Sequence, residues 1–443
     1  MKAGKDRAGK KDQPATVNTC PAIKECGGCK YAGTTYLYSC ADKNEYVRKL
    51  MPKGCKVNDI NVCSDPFHYR NKVHSAVKKL RNGKIICGPY EEGSHRIVKV
   101  DSCLIENKTA SAIIRDCADI AAKMKVSIYN EVSRTGELRR VLVRVAEKTG
   151  EVMVVIVTGT RFFRQKTAFV KELTKRHPEI TTVLVNINQR HDSMILGSET
   201  KKVTGKGYIT DILLGRKFRI SPTSFYQVNR SQAEVLYSTA VRLAEFTGRE
   251  SVIDAYCGTG TTTLTFAGFV DSITGVEINP EAVSDAVKNA KANNVKNAQF
   301  VCADAVEYME ELARSEEKID CVVLDPTRLG TDERFIRACE KLSPEKIVYI
   351  SCGPDTLARD LKVFAGCGYR ARVAEPVDMF PWTSSIETIV VLSKGIDISA
   401  GKVQVEFSVE DMDLSAAHGN ASYYKIKKHV YEKTGLQVSN LNI

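Results

Sequence analysis

From Ser231 onward the apolar residues fall into short runs separated by stretches with helical spacing. Ser251–Ala255, Ser272–Glu277, Ala298–Ala303, Cys321–Asp325 and Lys346–Ser351 read as strands. Ser231–Phe246, Pro280–Asn293, Ala305–Ser315, Thr331–Leu342 and Pro354–Phe364 read as helices, and two closing strands fall near Tyr369–Val377 and Glu387–Leu392. Strand–helix alternation predicts a doubly wound, Rossmann-like α/β sheet. Upstream the pattern differs. A helix is expected at Tyr36–Met51, and from Val57 to Val228 short β-rich segments dominate: Lys72–Val77, Arg139–Val145, Glu151–Thr158 and Thr182–Asn188. With Gly and Asn between them they predict an antiparallel, barrel-like or mixed β domain. The expected divisions are a basic flexible tail (1–19), a cysteine-containing β-rich domain (20–230), the α/β domain (231–397) and a C-terminal appendage (398–443). The appendage holds an alternating stretch, Val403–Phe407, and a basic helix near Tyr423–Thr434.

Charge adds a partner class. Lys and Arg number 65 against 53 Asp and Glu, a net charge of +12 over 443 residues, which favours an anionic partner such as nucleic acid. No apolar run reaches the roughly 18 residues of a membrane span, and the Lys-rich start lacks a secretory apolar core. A cytoplasmic chain without membrane contact is expected. The 15 cysteines then read as metal ligands, a nucleophile and buried thiols rather than as disulfides.

Three constellations carry chemistry. In Asp254-Ala-Tyr-Cys-Gly-Thr-Gly260, Gly258 and Gly260 sit where a strand meets a helix, so the backbone can turn tightly and approach a ligand. Glu277 ends the next strand, where a carboxylate can accept ribose hydroxyls, and Asp304 ends the third, near an adenine edge. The third glycine of a dinucleotide fingerprint is missing, which favours S-adenosylmethionine over NAD. In Ser351-Cys352-Gly-Pro354 a cysteine stands between strand and helix, where backbone donors favour a thiolate. A thiolate that adds to C6 of a uracil turns C5 into a carbon nucleophile able to take a methyl group, and a base must then remove the C5 proton. Glu387, at the start of an apolar strand, is the candidate base; Asp325 lies on the same sheet edge. Cys20, Cys26 and Cys29, with Gly27 and Gly28 between them, have metal-ligand spacing, which fits zinc or an iron–sulfur cluster given a fourth ligand.

Phe225-Tyr-Gln227-Val-Asn229, Asp254 to Gly260, Asp325-Pro-x-Arg328-x-Gly330, Ser351-Cys352-x-Pro354 and Asp378-Met-Phe-Pro381 through Glu387 together resemble the RNA uracil-5-methyltransferases, over about residues 20–395. The resemblance implies Cys352 as nucleophile and Glu387 as base. It also implies cofactor contacts by Gln227, Tyr256, Glu277, Asp304 and Asp325, beside Gly258 and Gly260, with Phe225 near cofactor or base. It implies Cys103 as the fourth ligand of a [4Fe–4S] cluster with Cys20, Cys26 and Cys29. Iron–sulfur members act mostly on 23S ribosomal RNA, so that RNA is the expected partner of a monomeric enzyme; transfer RNA, or a non-catalytic RNA-binding role, is the alternative. Three positions depart from the family pattern: Thr327 for Pro, Gly353 for Asn or Asp, and Ser385 for His. Many members begin with a small β-barrel RNA-binding domain, which the nineteen residues before Cys20 leave out. RNA contacts are then expected on the β-rich domain, at Arg70, Lys72, Lys78, Lys79, Arg139 and Arg140.

Overall fold

The computed structural model describes residues 16–394 apart from 92, 95, 193 and 316. The segments Val403–Phe407 and Tyr423–Thr434 and most of the basic tail lie outside the described residues. The described residues belong to the unit Met1–Gly395; the second unit is Ile396–Ile443.

The C-terminal half builds an eight-stranded sheet in the order Lys56–Val57, Tyr369–Val377, Glu387–Lys394, Lys346–Ser351, Cys321–Leu324, Ser251–Ala255, Ser272–Glu277, Ala298–Cys302. The strands from Lys346–Ser351 through Ala298–Cys302 pair in parallel, while Glu387–Lys394 runs antiparallel to both its neighbours. The fold is therefore the mixed α/β, Rossmann-like methyltransferase architecture that the strand–helix alternation predicts. The short strand Lys56–Val57, which extends this sheet beside Tyr369–Val377, carries no two-residue periodicity long enough to read from sequence.

The β-rich region forms a second, six-stranded sheet in the order Ile85–Gly88, Lys72–Lys79, Leu138–Val145, Val152–Thr158, Ile180–Ile187, Glu199–Thr204, with a separate hairpin at Ile209–Leu213 and Arg216–Ile220. It is mixed: Val152–Thr158 and Ile180–Ile187 are parallel, which requires a crossover, and the helix Lys166–Arg176 supplies it. The strand Val152–Thr158 is an unbroken apolar run because both of its faces are covered. Val152, Val154 and Ile156 pack on the helices Lys108–Lys123 and Lys166–Arg176 through Ile113, Cys117, Phe169 and Leu173. Met153, Val155 and Val157 share a core with Tyr237, Val252 and Ile389 of the eight-stranded half. Each such side chain contributes roughly 1.5–3 kcal/mol on burial, so the two sheets are joined by core rather than by a linker. The two crossover helices are an addition to the sequence expectation. Their signal was present: Ala110, Ile113, Ile114, Cys117 and Ala121 fall on one helical face behind the N-cap Asn107, whose side chain accepts from the Thr109 and Ala110 amides.

Candidate active site

The strand order reverses on either side of Ser251–Ala255, and the carboxyl ends of that strand and its neighbours form the crevice in which such sheets bind ligands. The two glycines of the turn have different tasks. Gly258 (φ +56°) faces open space, so a ligand can approach its backbone. At Gly260 (φ +80°) a Cβ would meet the Phe300 ring at 3.0 Å and Ala286 at 3.2 Å, so this glycine serves packing under the helix Thr261–Phe266. Tyr256 also holds a left-handed backbone (φ +70°), and its hydroxyl lies 3.1 Å from the Thr331 hydroxyl.

Around this turn the site is acidic. Glu277 accepts the Gly258 amide at 3.1 Å on one oxygen and the Asn279 amide at 2.8 Å on the other, leaving a lone pair on each for a ligand hydroxyl. Asp254 is fully buried, accepts from Thr263 at 2.5 Å, and keeps its second oxygen without a partner among the described residues. Burial, then the charges of Asp325 and Glu277, push its carboxyl up to about 7. Asp325 is likewise raised by burial to about 7. An orphaned carboxylate oxygen, two further acids and an open backbone at Gly258 fit a ligand that brings hydroxyls and positive charge, as S-adenosylmethionine does. Asp304 caps the helix Ala305–Leu312 by accepting from Val306 and Glu307 through one oxygen. Gln227 is buried beside Tyr237, whereas Phe225 is 61% exposed.

Cys352 follows the strand Lys346–Ser351, whose Ser351 pairs with Thr388, so the cysteine comes level with Glu387 across an antiparallel pair. Glu387 is buried and one carboxylate oxygen has no hydrogen-bond partner among the described residues. Burial, reinforced by Asp325, holds its carboxyl well above the usual range, against the opposing charge of Arg328. The helix-start argument predicts a thiolate at Cys352, and the structure corrects it. Burial, followed by the charges of Glu387 and Asp325, pushes the thiol up to about 11, while Arg328 only partly offsets them. Gly353 caps the helix Pro354–Gly366 without a side-chain bond, so the helix start adds little to set against two carboxylates. Two departures from the family pattern are accommodated here. Ser385 accepts a hydrogen bond from Arg328 at 2.7 Å, and Gly353 avoids Thr356, whose hydroxyl a Cβ would meet at 2.7 Å.

Two clefts meet at Cys352, and both are walled by Arg328, Ser384 and Ser385. One, of about 630 Å³, runs along the helix Tyr36–Leu50 and mixes Lys30, Tyr46 and Lys49 with Asp42, Glu45 and Asp355. The other, of about 540 Å³, runs to the loop Cys26–Gly28, Arg70 and Tyr90 and has no carboxylate in its wall among the described residues. Of the cations expected at an RNA surface, Lys78 and Lys79 are exposed and Arg70 lines the second cleft. Arg139 does not fit that role. Its side chain is buried, pairs with Glu131 at 2.8 Å and donates to the Asn188 and Arg190 carbonyls at 2.9 Å. Arg140 is also buried, with its guanidinium 5.5 Å from the centre of the Tyr90 ring.

Sequence reasoning missed Lys43. Its ammonium is buried, 2.6 Å from Asp378 and 3.0 Å from the Phe380 carbonyl. Tyr36 donates to the same carboxylate at 2.7 Å, and the buried Trp382 stacks near Tyr36 and Phe67 and donates to the Pro66 carbonyl. The turn that leads into Ser384, Ser385 and Glu387 is thus gripped by residues 31–69. A lysine inside a helix gives no sequence signal unless its partner, more than three hundred residues away, is known.

Cys29 and Cys103 pack at the edge of this same aromatic cluster. Burial pushes Cys29 up to about 11, with added repulsion from Cys20 and Cys26; Cys103 rises to about 12, with Cys29 among its repelling neighbours. The four thiols are free and partly exposed. Among the described residues, no three Cys, His, Asp or Glu side chains are arranged to hold a metal ion.

A doubly wound sheet with an acidic crevice at its switch point and a cysteine at the end of the strand two places away is the architecture of an S-adenosylmethionine-dependent methyltransferase. Residues 35–395 match the model of the tRNA (uracil-5-)-methyltransferase family, and the chain belongs to that family. It is 38% identical over 378 residues to an uncharacterized RNA methyltransferase of Halalkalibacterium halodurans, covering 84% of this chain and 82% of the relative. An uncharacterized RNA methyltransferase of Clostridium tetani is 37% identical over 378 residues, with coverage of 84% and 82%. Among solved structures, Pyrococcus abyssi tRNA (uracil-54, C5)-methyltransferase in complex with S-adenosyl-L-homocysteine superimposes with a TM-score of 0.68 and 27% identity, covering 81% of this chain and 84% of its own.

Proposed function

We propose that the chain methylates carbon 5 of a uridine in 23S ribosomal RNA, with Cys352 as nucleophile and Glu387 as base. The observation that carries this reading is the placement of Cys352 level with Glu387, a buried carboxylate with an unpartnered oxygen, at a crevice floored by Asp254, Glu277 and Asp325. S-adenosylmethionine, when bound, supplies an electrophilic methyl group; Gly258, Glu277, Asp304, Asp325, Gln227 and Tyr256 would hold it, with Gly260 shaping the turn beneath. Cys352 gives its proton to solvent and its sulfur bonds to C6, which moves the C5–C6 electron pair onto C5; that pair bonds the methyl carbon as the methyl's bond to the departing thioether sulfur breaks. Once C5 carries the new methyl group, Glu387 takes the C5 proton, the double bond re-forms and the sulfur leaves with its electron pair. The target base must leave its stack to reach Cys352, and the two clefts that meet there give the strand room on either side.

The RNA class rests on the cysteines. Cys20, Cys26, Cys29 and Cys103 are free thiols, and Cys29 lies within reach of the charge of each of the other three. Four cysteine thiolates are the ligand set of a [4Fe–4S] cluster. The cluster would pin the Cys26–Gly28 loop beside Cys352 and supply no redox step. Transfer RNA is the second reading, favoured by the substrate of the Pyrococcus abyssi relative. The enzyme is proposed to be monomeric and cytoplasmic; among the described residues no helix is long and apolar enough to cross a membrane. Mass-spectrometric mapping of 5-methyluridine in ribosomal and transfer RNA, with and without the enzyme, tests the substrate: a methyl mark lost from 23S ribosomal RNA is expected, and loss from transfer RNA alone establishes the second reading. Brown anaerobic protein with about four irons per chain is expected for the cluster; a colourless protein with one zinc overturns it.

A further inference from the structure

The cleft that runs from Cys352 to Tyr90 does not end at its far wall. Tyr90 also lines a third cavity of about 570 Å³ with Val132, Arg134, Arg140 and His191. Among the described residues two acids reach this cavity, and both are already engaged: Glu131 with Arg139 at 2.8 Å, and Asp192 with Arg190. Arg140 is engaged by neither. It stands on the inner strand Leu138–Val145, its side chain is buried, and its Nε has no hydrogen-bond partner among the described residues. Its guanidinium lies 5.5 Å from the centre of the Tyr90 ring. Buried guanidinium groups are ordinarily paired, because desolvation of the charge is costly. The surroundings add positive charge. Arg140 pairs with Ala76 in register and Arg144 with Lys72, which puts Lys72, His74, Arg140 and Arg144 on one face of the sheet. There the Arg144 charge and burial push Lys72 down to about 7. An exposed apolar side chain, Val132, stands at the rim with 92% of its surface free.

We propose that this cavity is a distal RNA subsite in which Tyr90 stacks an unpaired base and Arg140, with Arg134, binds an adjoining phosphate, two or more nucleotides from the methylated uridine. A phosphate gives Arg140 the acceptor that the protein withholds, and an aromatic ring between two clefts is a platform for a base. The subsite rests on the reading that the target uracil sits at Cys352. It is tested with the full chain on whichever ribosomal or transfer RNA transcript the wild-type enzyme methylates. Tyr90→Ala is expected to raise KM for that RNA by roughly 5- to 100-fold, with kcat within about twofold and Tyr90→Phe close to wild type. Arg140→Gln is expected to make the slope of log affinity against log salt shallower by about one phosphate contact. Because Arg140 lies in an inner strand, the exposed Arg134→Ala provides a second reading of the salt slope in a variant whose fold is not at risk. Unchanged KM in Tyr90→Ala together with an unchanged slope in Arg134→Ala overturns the subsite. If Cys352→Ala still methylates, the assignment of the target position fails instead, which the KM and salt measurements do not touch.

Discussion

The crevice at the switch point of the eight-stranded sheet and the cleft leading from Cys352 to Tyr90 carry opposite charge. The first gathers Asp254, Glu277 and Asp325; the second has Arg70 and Arg328 and, among the described residues, no carboxylate. The first suits a methyl donor with a sulfonium and an ammonium, the second a polyanion. Each charge set repels the other's ligand, so the partition keeps RNA phosphates out of the donor crevice and holds the donor away from the RNA track. Cys352 and Glu387 stand at the boundary. The thiol is held up there because burial and the charges of Glu387 and Asp325 outweigh Arg328.

Breaking the boundary should have the largest effect. Cys352→Ala is expected to abolish methyl transfer and the covalent adduct with 5-fluorouridine RNA. Glu387→Gln should still form the adduct but turn over about 10²- to 10⁴-fold more slowly, the range for loss of a general base. Near wild-type turnover of Cys352→Ala ends the proposed mechanism. The next effect is on stability. Lys43→Met leaves Asp378 buried with only the Tyr36 hydroxyl and weaker neighbours, and should cost about 3–5 kcal/mol in urea unfolding, as removal of one partner of a buried ion pair does. Lys43→Met combined with Asp378→Asn should recover part of that loss; no loss in the single variant means that the clamp on the turn before Glu387 is made by Trp382 alone.

The acidic side can be sharpened by comparing two ligands that differ in one charge. Asp325→Asn should weaken binding of S-adenosylmethionine more than that of S-adenosylhomocysteine, by about tenfold in the ratio, equivalent to roughly 1.4 kcal/mol. With Asp254 and Asp325 both raised to about 7, these acids are largely neutral at pH 6 and ionised at pH 8. The preference for the sulfonium over the thioether should therefore grow as pH rises through 7, and titration calorimetry at the two pH values reads it. A ratio that does not move with pH places the sulfonium away from these carboxylates. The smallest effect concerns the thiol itself. With its titration pushed up to about 11, alkylation of Cys352 by iodoacetamide should be slow at neutral pH and still rising at pH 10. Glu387→Gln removes a charge that raises the thiol, so the alkylation profile should move to lower pH; a shift upward contradicts the electrostatic account.

The alternation of apolar runs and helical spacing after Ser231 determined the order of strands and helices, because most strands there are short apolar runs and most are followed by a helix with an apolar face. The motif residues from Gly258 to Glu387 were legible for a related reason: they stand at or just past the carboxyl ends of parallel strands or, for Glu387, at the start of an antiparallel one, and these ends share one edge. Three matters were settled only in three dimensions. The helices Lys108–Lys123 and Lys166–Arg176 decide among the antiparallel, barrel-like and mixed readings in favour of a mixed sheet, since a parallel pair needs a crossover that local β patterning does not announce. Arg139 and Arg140 look alike in sequence and line the same cavity, yet Arg139 is spent on Glu131 while the Arg140 Nε has no hydrogen-bond partner among the described residues, because the register shift between Leu138 and Arg140 and the placement of Glu131 are tertiary features. And the thiol that a helix start favours as a thiolate is held protonated, because burial and two carboxylates brought from other strands outweigh one turn of backbone dipoles. Sequence fixes which groups are present and their local backbone; the sign of the field at each is a sum over neighbours that only the fold assembles.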